Sequence, residues 1–342
     1  MSASFDSLLA ALASPGAALP RADLAFLSDP DASQIERLRR AWPSVDTDRR
    51  REVLREIGIL ATDHIELNFD RVDRLALEDS DAEVRRQAIS NLWESEDPAL
   101  APTLLNILSD DSDPATRAAA ASALGTFVYL GEIGRVPADV LGQLEEQLLQ
   151  TARQEEDSVR LSSLESLGYS SRPEVAALIR AAYLNGEDPW KRAALVAMAR
   201  SADEIWEPEV LAELRSPSPA LRLEATRSAG ELELRGAVAE LVDLLDDADL
   251  AVRRASIWSL GQIGGKRSAE LLGRLLEAGD ADEVPLIEDA LDQLAFADGT
   301  RDLSLLDVDE DADEEGGEGA EGEPDDEDED PEESEAPEEE TP

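Results

Sequence analysis

The feature that most constrains this chain is an internal repeat anchored on a basic residue. Seven segments align on a Lys or Arg, and an eighth, degenerate segment places an isoleucine there, at intervals of 35, 32, 43, 31, 31, 31 and 34 residues. The aligned residues are Arg50, Arg85, Arg117, Arg160, Lys191, Arg222, Arg253 and Ile287. A period of roughly 20–50 residues is typical of proteins that stack one supersecondary unit many times. We therefore expect a stack of similar units without a single closed core.

Each repeat carries apolar or small residues at fixed distances from the aligned base. Counted from that base, positions −1, +3 and +7 are mostly apolar or small in every copy, and these offsets share one face of a helix. Other segments with helical spacing, such as 98–108 and 173–184, lie between these helices. The pattern predicts two helices per unit and no β-sheet. The fold class predicted is all-α, an α-solenoid of stacked antiparallel helix pairs.

The repeat also contains residues suited to helix ends. An aspartate stands four residues before the base at Asp81, Asp113 and Asp249, and three residues before it at Asp157 and Asp188. These aspartates are predicted to be helix N-caps. A glycine recurs at position +8, where it suits a left-handed C-terminal cap. These glycines are Gly58, Gly125, Gly168, Gly230 and Gly261.

One motif within the repeat resembles a known family. The pattern D-x-x-V-R-x-x-A-x-x-A-L-G is seen from Asp113 to Gly125, with Thr in place of Val, and from Asp249 to Gly261, with Ser in place of both Ala. It resembles the short HEAT-like repeat of phycobilisome lyases, over roughly residues 47 to 296. The resemblance implies the HEAT-like solenoid fold. It also implies one alternative function, that of an accessory subunit of a bilin lyase-type enzyme that assists bilin attachment or removal.

Three regions are predicted along the chain. Residues 1–46 do not align with the repeat and are expected to form an N-terminal helical cap over the first repeat. Residues 47–300 form the HEAT-like repeat solenoid. Residues 301–342 are predicted to be a disordered acidic tail, because 22 of the 36 residues from Asp307 to Pro342 are Asp or Glu and none is Lys or Arg.

The 43-residue interval holds an insertion, which includes residues 126–137 with the sequence T-F-V-Y-L-G-E-I-G-R-V-P. Extra residues in a repeat either lengthen a helix or form a loop on one face. Apolar side chains seldom remain exposed together. We therefore favour an elongated helix with Phe127 and Tyr129 in the core over an exposed loop.

The composition excludes several classes of protein. The chain has 31 Lys and Arg against 79 Asp and Glu, a formal net charge of −48, so general binding to nucleic acid or to anionic membranes is not expected. There is no Cys, and His64 is the single His, so we predict no catalytic residue, no cofactor and no metal site. Acidic residues from Asp307 to Glu318 match the spacing of a calcium loop, but Ala312 stands where that loop needs Gly. No export signal or transmembrane segment is recognised, so a cytoplasmic location is expected.

The side of the second helix opposite the buried stripe is the candidate binding surface. Offsets +1, +4 and +5 are expected to face away from the core, and in HEAT-like solenoids this helix lines the concave side. Across seven repeats these positions hold six Arg and a single acid, Glu165. The candidate partner-binding residues are Arg51, Arg55, Arg86, Leu161, Arg192, Leu195, Arg227, Arg254, Ile257 and Trp258.

These residues predict a non-enzymatic protein-binding scaffold or adaptor. Its partner would be another protein, through an acidic and apolar segment. The alternative interpretation is that the Arg side chains only cover apolar surface. A further hypothesis places the acidic tail on this same face within one chain. The charge alone also leaves open an acidic nucleic-acid mimic that binds a basic protein.

Overall fold

The computed structural model describes residues 4–14, 16, 19–278 and 283–296. These residues form helices joined by turns, with no β-strand among them, as predicted. The described residues up to Ala295 form one compact unit. The predicted acidic tail, residues 301–342, lies outside the described residues, and so does the calcium-loop-like spacing from Asp307 to Glu318.

The α-helices are numbered in chain order. They are α1 (Phe5–Leu12), α2 (Ala32–Ala41), α3 (Thr47–Asp63), α4 (Asp70–Ala76), α5 (Ala82–Asn91), α6 (Ala101–Asp110), α7 (Pro114–Glu132), α8 (Ala138–Gln154), α9 (Asp157–Leu167), α10 (Pro173–Asn185), α11 (Asp188–Arg200), α12 (Glu207–Glu213), α13 (Pro219–Glu231), α14 (Val238–Leu244), α15 (Leu250–Ile263), α16 (Gly265–Ala278) and α17 (284–296). Short 3-10 helices occupy Arg21–Leu27, Trp42–Ser44, Pro98–Leu100, Glu204–Trp206 and Arg235–Ala237. No helix in the described part of the chain has both the length and the apolar content needed to cross a bilayer.

The odd-numbered helices from α3 onward are the second helices of the repeats, and they form one layer. From α3 to α15 each second helix packs on the next, whereas the even-numbered first helices pack mainly on second helices. The stripe that the repeat predicts is the buried one, because positions +3 and +7 are buried in all seven copies that align on a base. The second helices therefore form a continuous packed layer of an α-solenoid, which we call the inner layer.

The chain before the first repeat covers the start of the solenoid. The 3-10 helix Arg21–Leu27 packs against α3, helix α2 packs against α4, and α1 packs on both the 3-10 helix and α2. The indole Nε1 of Trp42 donates a hydrogen bond of 2.7 Å to Asp79 Oδ2 in a buried contact. The apolar edge of the first repeat is thereby covered by residues within the 1–46 segment.

The predicted N-caps are correct at three positions. The carboxylates of Asp81, Asp113 and Asp249 accept backbone N–H groups in the first turns of α5, α7 and α15. Asp157 and Asp188 are instead the first residues of α9 and α11, and the N-cap residues are the glutamates before them. The prediction is therefore wrong by one residue at those two sites. The Glu side chains at the true N-cap positions make no capping hydrogen bond, so the sequence carries no capping signal there.

The predicted role of the glycine at +8 is wrong. None of the five glycines has a positive φ, so none forms a left-handed cap. They stand where the next second helix comes closest. A Cβ built on Gly125 would lie 2.9 Å from Ser166 Oγ, and one built on Gly168 would lie 2.7 Å from the Ala197 Cα. The recurring glycine is therefore required by the approach of two helices.

The same contact corrects the register of the last repeat. A Cβ on Gly261 would lie 2.8 Å from the carbonyl oxygen of Ala290, and Gln262 is hydrogen-bonded to Gln293. In the other repeats the glycine faces offset +6 or +5 of the next helix, as Gly125 faces Ser166. Ala290 has offset +6 when the repeat is counted from Val284, so the alignment on Ile287 is wrong by three residues, close to one helical turn.

The insertion lengthens a helix, as predicted, because α7 continues to Glu132. Phe127 is buried, with 1% of its surface exposed. Tyr129 was expected in the core but is 47% exposed. Its position two residues after Phe127 turns it to another side of the helix, where its ring contacts Tyr169 at 5.5 Å between centroids.

Candidate binding groove

The candidate surface is smaller than the sequence predicts, because offset +4 is buried. Leu195 and Ile257, two of the candidate binding residues, are 0% and 1% exposed, which contradicts their expected outward orientation. The same is true of every residue at this offset: Leu54, Ile89, Ala121, Leu164, Leu195, Thr226 and Ile257. Each second helix has a neighbouring second helix on either side, and offset +4 faces one of them. Only offsets +1 and +5 remain half-buried or exposed.

A hydrogen bond between consecutive repeats explains why offset +4 is covered. The polar side chain at offset +6 donates to the backbone carbonyl at offset +4 of the preceding second helix. These bonds run from Asn91 to Leu54, Ser166 to Ala121, Ser228 to Leu195 and Ser259 to Thr226, at 2.9, 2.8, 3.1 and 2.7 Å. The recurrence of Ser or Asn at +6 is a signal that the sequence contains and that the pattern analysis missed.

Several of the aligned bases connect repeats and are not available to a partner. The guanidinium of Arg85 binds the Asp111 carboxylate through two bonds of 2.6 and 2.7 Å, and Arg222 binds Asp247 in the same way at 2.7 and 2.8 Å. Lys191 Nζ lies 2.6 Å from Glu213 Oε1. In each case the carboxylate belongs to a neighbouring repeat unit. The base of the motif therefore stabilises the stack.

Two candidate arginines at offset +1 also form ion pairs within the fold. Arg51 binds the N-cap residue Asp81 at 2.9 and 2.6 Å, and Arg86 binds the N-cap residue Asp113 at 2.5 Å. The hydrogen bond from Arg51 is the main reason that the pKa of Asp81 falls to about 2. Hydrogen bonding, first from the Thr116 side chain and then from Arg86, lowers the pKa of Asp113. These two ion pairs join consecutive second helices.

Arg192 lies between two carboxylates of neighbouring helices. Its guanidinium is 3.3 Å from Glu165 and 3.8 Å from Glu224, on α9 and α13. Burial raises the pKa of both glutamates, and the charge of Arg192 opposes that rise. Of the remaining candidates upstream, Arg55 is exposed on α3 and Leu161 is half-buried on α9.

Three candidate residues do come together, in a groove across α13, α15 and α17. Arg227, Arg254 and Trp258 line an open cavity of about 550 Å³. The rest of its lining is apolar: Leu250, Ala251, Ala255 and Leu286. We call this cavity the binding groove. Gly230 makes room for the indole, because a Cβ there would lie 2.7 Å from Trp258 Cζ3.

The electrostatics of the binding groove differ from those of the earlier repeats. Arg254 occupies the same offset as Arg51 and Arg86, but no carboxylate among the described residues lies within 4 Å of it. Arg227 interacts with the charges of Glu224 and Glu231, whose pKa values are raised by burial in spite of it. The groove thus presents a guanidinium without an ion-pair partner beside an apolar floor. In the described ranges no group of three or more His, Asp or Glu side chains is arranged to hold a metal ion.

The described helices define a helical repeat protein of the solenoid class. A family model for HEAT repeats matches residues 73–146 and 207–292. The chain therefore contains HEAT-like repeats, which confirms the resemblance seen in its motif.

Solved structures with similar folds are diverse. The complex of CpcE and CpcF of phycocyanin lyase from Nostoc sp. PCC7120 is 20% identical, with a TM-score of 0.46 over 66% of this chain and 94% of that chain. Human deoxyhypusine hydroxylase is 17% identical, with a TM-score of 0.34 over 85% of this chain and 96% of that chain. Importin beta is 13% identical, with a TM-score of 0.41 over 85% and 46% of the two chains. No curated protein matches the sequence.

Proposed function

We propose that this HEAT-like repeat protein is a non-enzymatic scaffold or adaptor that binds an acidic and apolar segment of another protein in the binding groove. The observation that carries the proposal is the position of Arg254. It is exposed beside an apolar floor and has no carboxylate within ion-pair distance among the described residues. The equivalent arginines of earlier repeats bind the carboxylate of the next N-cap.

The chemistry of the groove supports this class of ligand. A guanidinium presents a planar set of donors that matches a carboxylate. Trp258, Leu250 and Leu286 offer apolar surface that a Leu or aromatic side chain of the partner would cover. A segment that places an apolar side chain beside a carboxylate satisfies both parts of the groove. On a chain of net charge −48, the local guanidinium pair selects where such a segment binds.

The proposal is tested with a labelled peptide of Glu, Leu and Gly, titrated with the full-length chain while fluorescence anisotropy is measured. Arg254→Glu is expected to weaken binding by about tenfold or more, which corresponds to ~1.4 kcal/mol, because it places like charges together. Arg227→Glu should act in the same direction.

Arg55→Glu is the matched control. Arg55 has the same offset as Arg227, is exposed on a second helix, and does not line the groove. It should change affinity by less than about twofold at physiological salt, where charges more than about 8 Å away are screened. Equal losses from Arg55→Glu and Arg254→Glu would show that net charge alone controls binding and would refute the groove.

A further inference from the structure

We infer that the chain has a second protein-binding surface, formed by Trp93, Tyr129 and Ile133, and that it binds a segment of another protein that combines apolar and basic side chains. We call these three residues the edge patch. It shares no residue with the binding groove. It assigns a role to the elongated end of α7, which the proposed function leaves without one.

The three residues lie on one edge of the inner layer. Successive second helices point the same way, so their C-terminal ends line a common edge. Trp93 follows the end of α5, and Tyr129 and Ile133 are at the end of α7. An ion pair of 2.6 Å between Arg135 Nη2 and Glu96 Oε2 joins the segment after α7 to the turn after α5. The lengthened α7 is therefore held beside the turn that carries Trp93.

The edge patch is exposed to a degree unusual for such residues. Trp93 is 68%, Ile133 49% and Tyr129 47% exposed, whereas Trp42, Trp190 and Trp206 are all buried. Apolar side chains grouped at the surface mark interaction sites. Trp and Tyr are also the residues that most often dominate binding energy at interfaces.

Part of the edge patch is held in place before any partner binds. The Tyr129 ring lies 5.5 Å from the Tyr169 ring, at an interplanar angle of 57°. The guanidinium of Arg200, which lies at the end of α11, is 5.0 Å from the centroid of the same Tyr169 ring. A ring that is already ordered loses less conformational entropy on binding. The ordered Tyr129 ring therefore supports a role of the edge patch in binding a partner.

Charge selects the kind of partner. Glu94, Glu96 and Glu132 border the edge patch, where Arg135 is already paired with Glu96, and Arg74, near the same turn, is paired with Asp97. A second copy of this chain would bring the same acidic border and a net charge of −48 against it. An anionic lipid surface would be repelled for the same reason. A segment with Lys or Arg flanking its apolar residues complements the border.

The probe for this surface is a labelled peptide of Leu and Lys in which the leucines recur at helical spacing, titrated with the full-length chain. Trp93→Ser is expected to weaken binding by about tenfold or more, the loss typical of an interface hot spot. Ile133→Ser should also weaken it. Leu184→Ser is the matched control, because Leu184 is 74% exposed on α10, away from the edge patch, and its change should leave affinity within about twofold.

A second peptide with the same lysines and with Ser in place of Leu measures general attraction to an acidic chain. It should bind at least about tenfold more weakly than the Leu/Lys peptide. Equal binding of the two peptides, or equal binding by Trp93→Ser and the unaltered chain, would overturn the inference. Sedimentation that shows a dimer lost in Trp93→Ser would assign the surface to a second copy and overturn it as well. Neither result bears on Arg254 and its acidic probe, so the two proposals fail separately.

Discussion

At the scale of single residues, Asp73 stands out among the described carboxyl groups because it is buried without an ion-pair partner among the described residues. It lies on α4, is 3% exposed, and accepts a hydrogen bond of 2.8 Å from Asn91 Nδ2. Burial raises its pKa well above the ordinary carboxyl value, and the bond from Asn91 only partly opposes this. Because the folded chain holds this proton more tightly than the unfolded chain, Asp73 destabilises the fold increasingly as pH rises above about 4.

Asp73→Asn is therefore expected to raise the free energy of unfolding at pH 7, by on the order of 1 kcal/mol, because the amide has no charge to bury. The amide oxygen can still accept from Asn91. The gain should largely disappear by about pH 4, where the carboxyl group is protonated in the folded chain and about half protonated in the unfolded chain. Urea unfolding at the two pH values measures it. Asp110→Asn, an exposed carboxylate at the end of α6, is the control and should give no such pH-dependent gain.

At the scale of helices, the glycine at +8 makes a testable contact. Gly168→Ala would place a Cβ 2.7 Å from the backbone of Ala197, so α9 and α11 must move apart. We expect a loss of about 1–3 kcal/mol in the free energy of unfolding, as for other overpacked sites. Gly142→Ala is the matched control, because nothing lies within 4 Å of the added Cβ within α8. It should stabilise by about 0.5–1 kcal/mol, and a similar effect from both changes would contradict the close-approach role.

At the scale of helices, the sequence pattern predicted only one of the buried faces of each second helix. A period of 3.6 residues correctly identifies the stripe at −1, +3 and +7, because that face packs on the first helices. It cannot show that a helix in the middle of a layer is covered on its flanks too. Offset +4 was therefore assigned to the surface, although Leu195 and Ile257 are buried there. The polar residue at +6, as in Ser259, was the signal for flank packing, since its partner is the backbone of the next helix.

At the scale of the whole molecule, two sets of ionisable groups change the free energy of unfolding in opposite directions as pH changes. Burial raises the pKa of Asp73, Glu165, Glu224 and Glu231, so their contribution improves as pH falls from neutral toward about 4. Hydrogen bonds, mainly from arginines of the stack or from helix N-termini, lower the pKa of Asp81, Asp113 and Asp247, so their contribution is lost as pH falls from about 4 through these lowered values.

The two effects together place the stability maximum on the acid side of neutral. The net charge of −48 at pH 7 adds repulsion that protonation relieves. We expect the free energy of unfolding, measured by urea titration, to be higher near pH 5 than at pH 7, and to fall steeply below about pH 4. A value that rises steadily from pH 5 to pH 8 would contradict this balance.

The architecture could be read almost entirely from the sequence, because local repetition determines a solenoid. The candidate site could be read only in part. Arg227, Arg254 and Trp258 were identified from their offsets, and the structure brings them together. The ion pairs of Arg51 and Arg192 could not be read from the repeat pattern. Their carboxylates, such as Asp81 and Glu165, lie 27 to 32 residues away in a neighbouring repeat.

The junction between α9 and α11 differs from its neighbours in how it is joined. Its +6 residue is Ala197, which cannot donate to the preceding helix, and Arg160 binds Asp157 and the Ala152 carbonyl of its own repeat. Other contacts take the place of that hydrogen bond: Arg192 pairs with Glu165, the Arg160 guanidinium lies over the Trp190 ring, and Gly168 meets the backbone of Ala197. Because no side chain of α11 at +6 is bonded to the backbone of α9, we expect bending of the inner layer to concentrate at this seam. The edge patch and the binding groove belong to repeats on opposite sides of it, so flexure there would adjust the separation of two bound proteins.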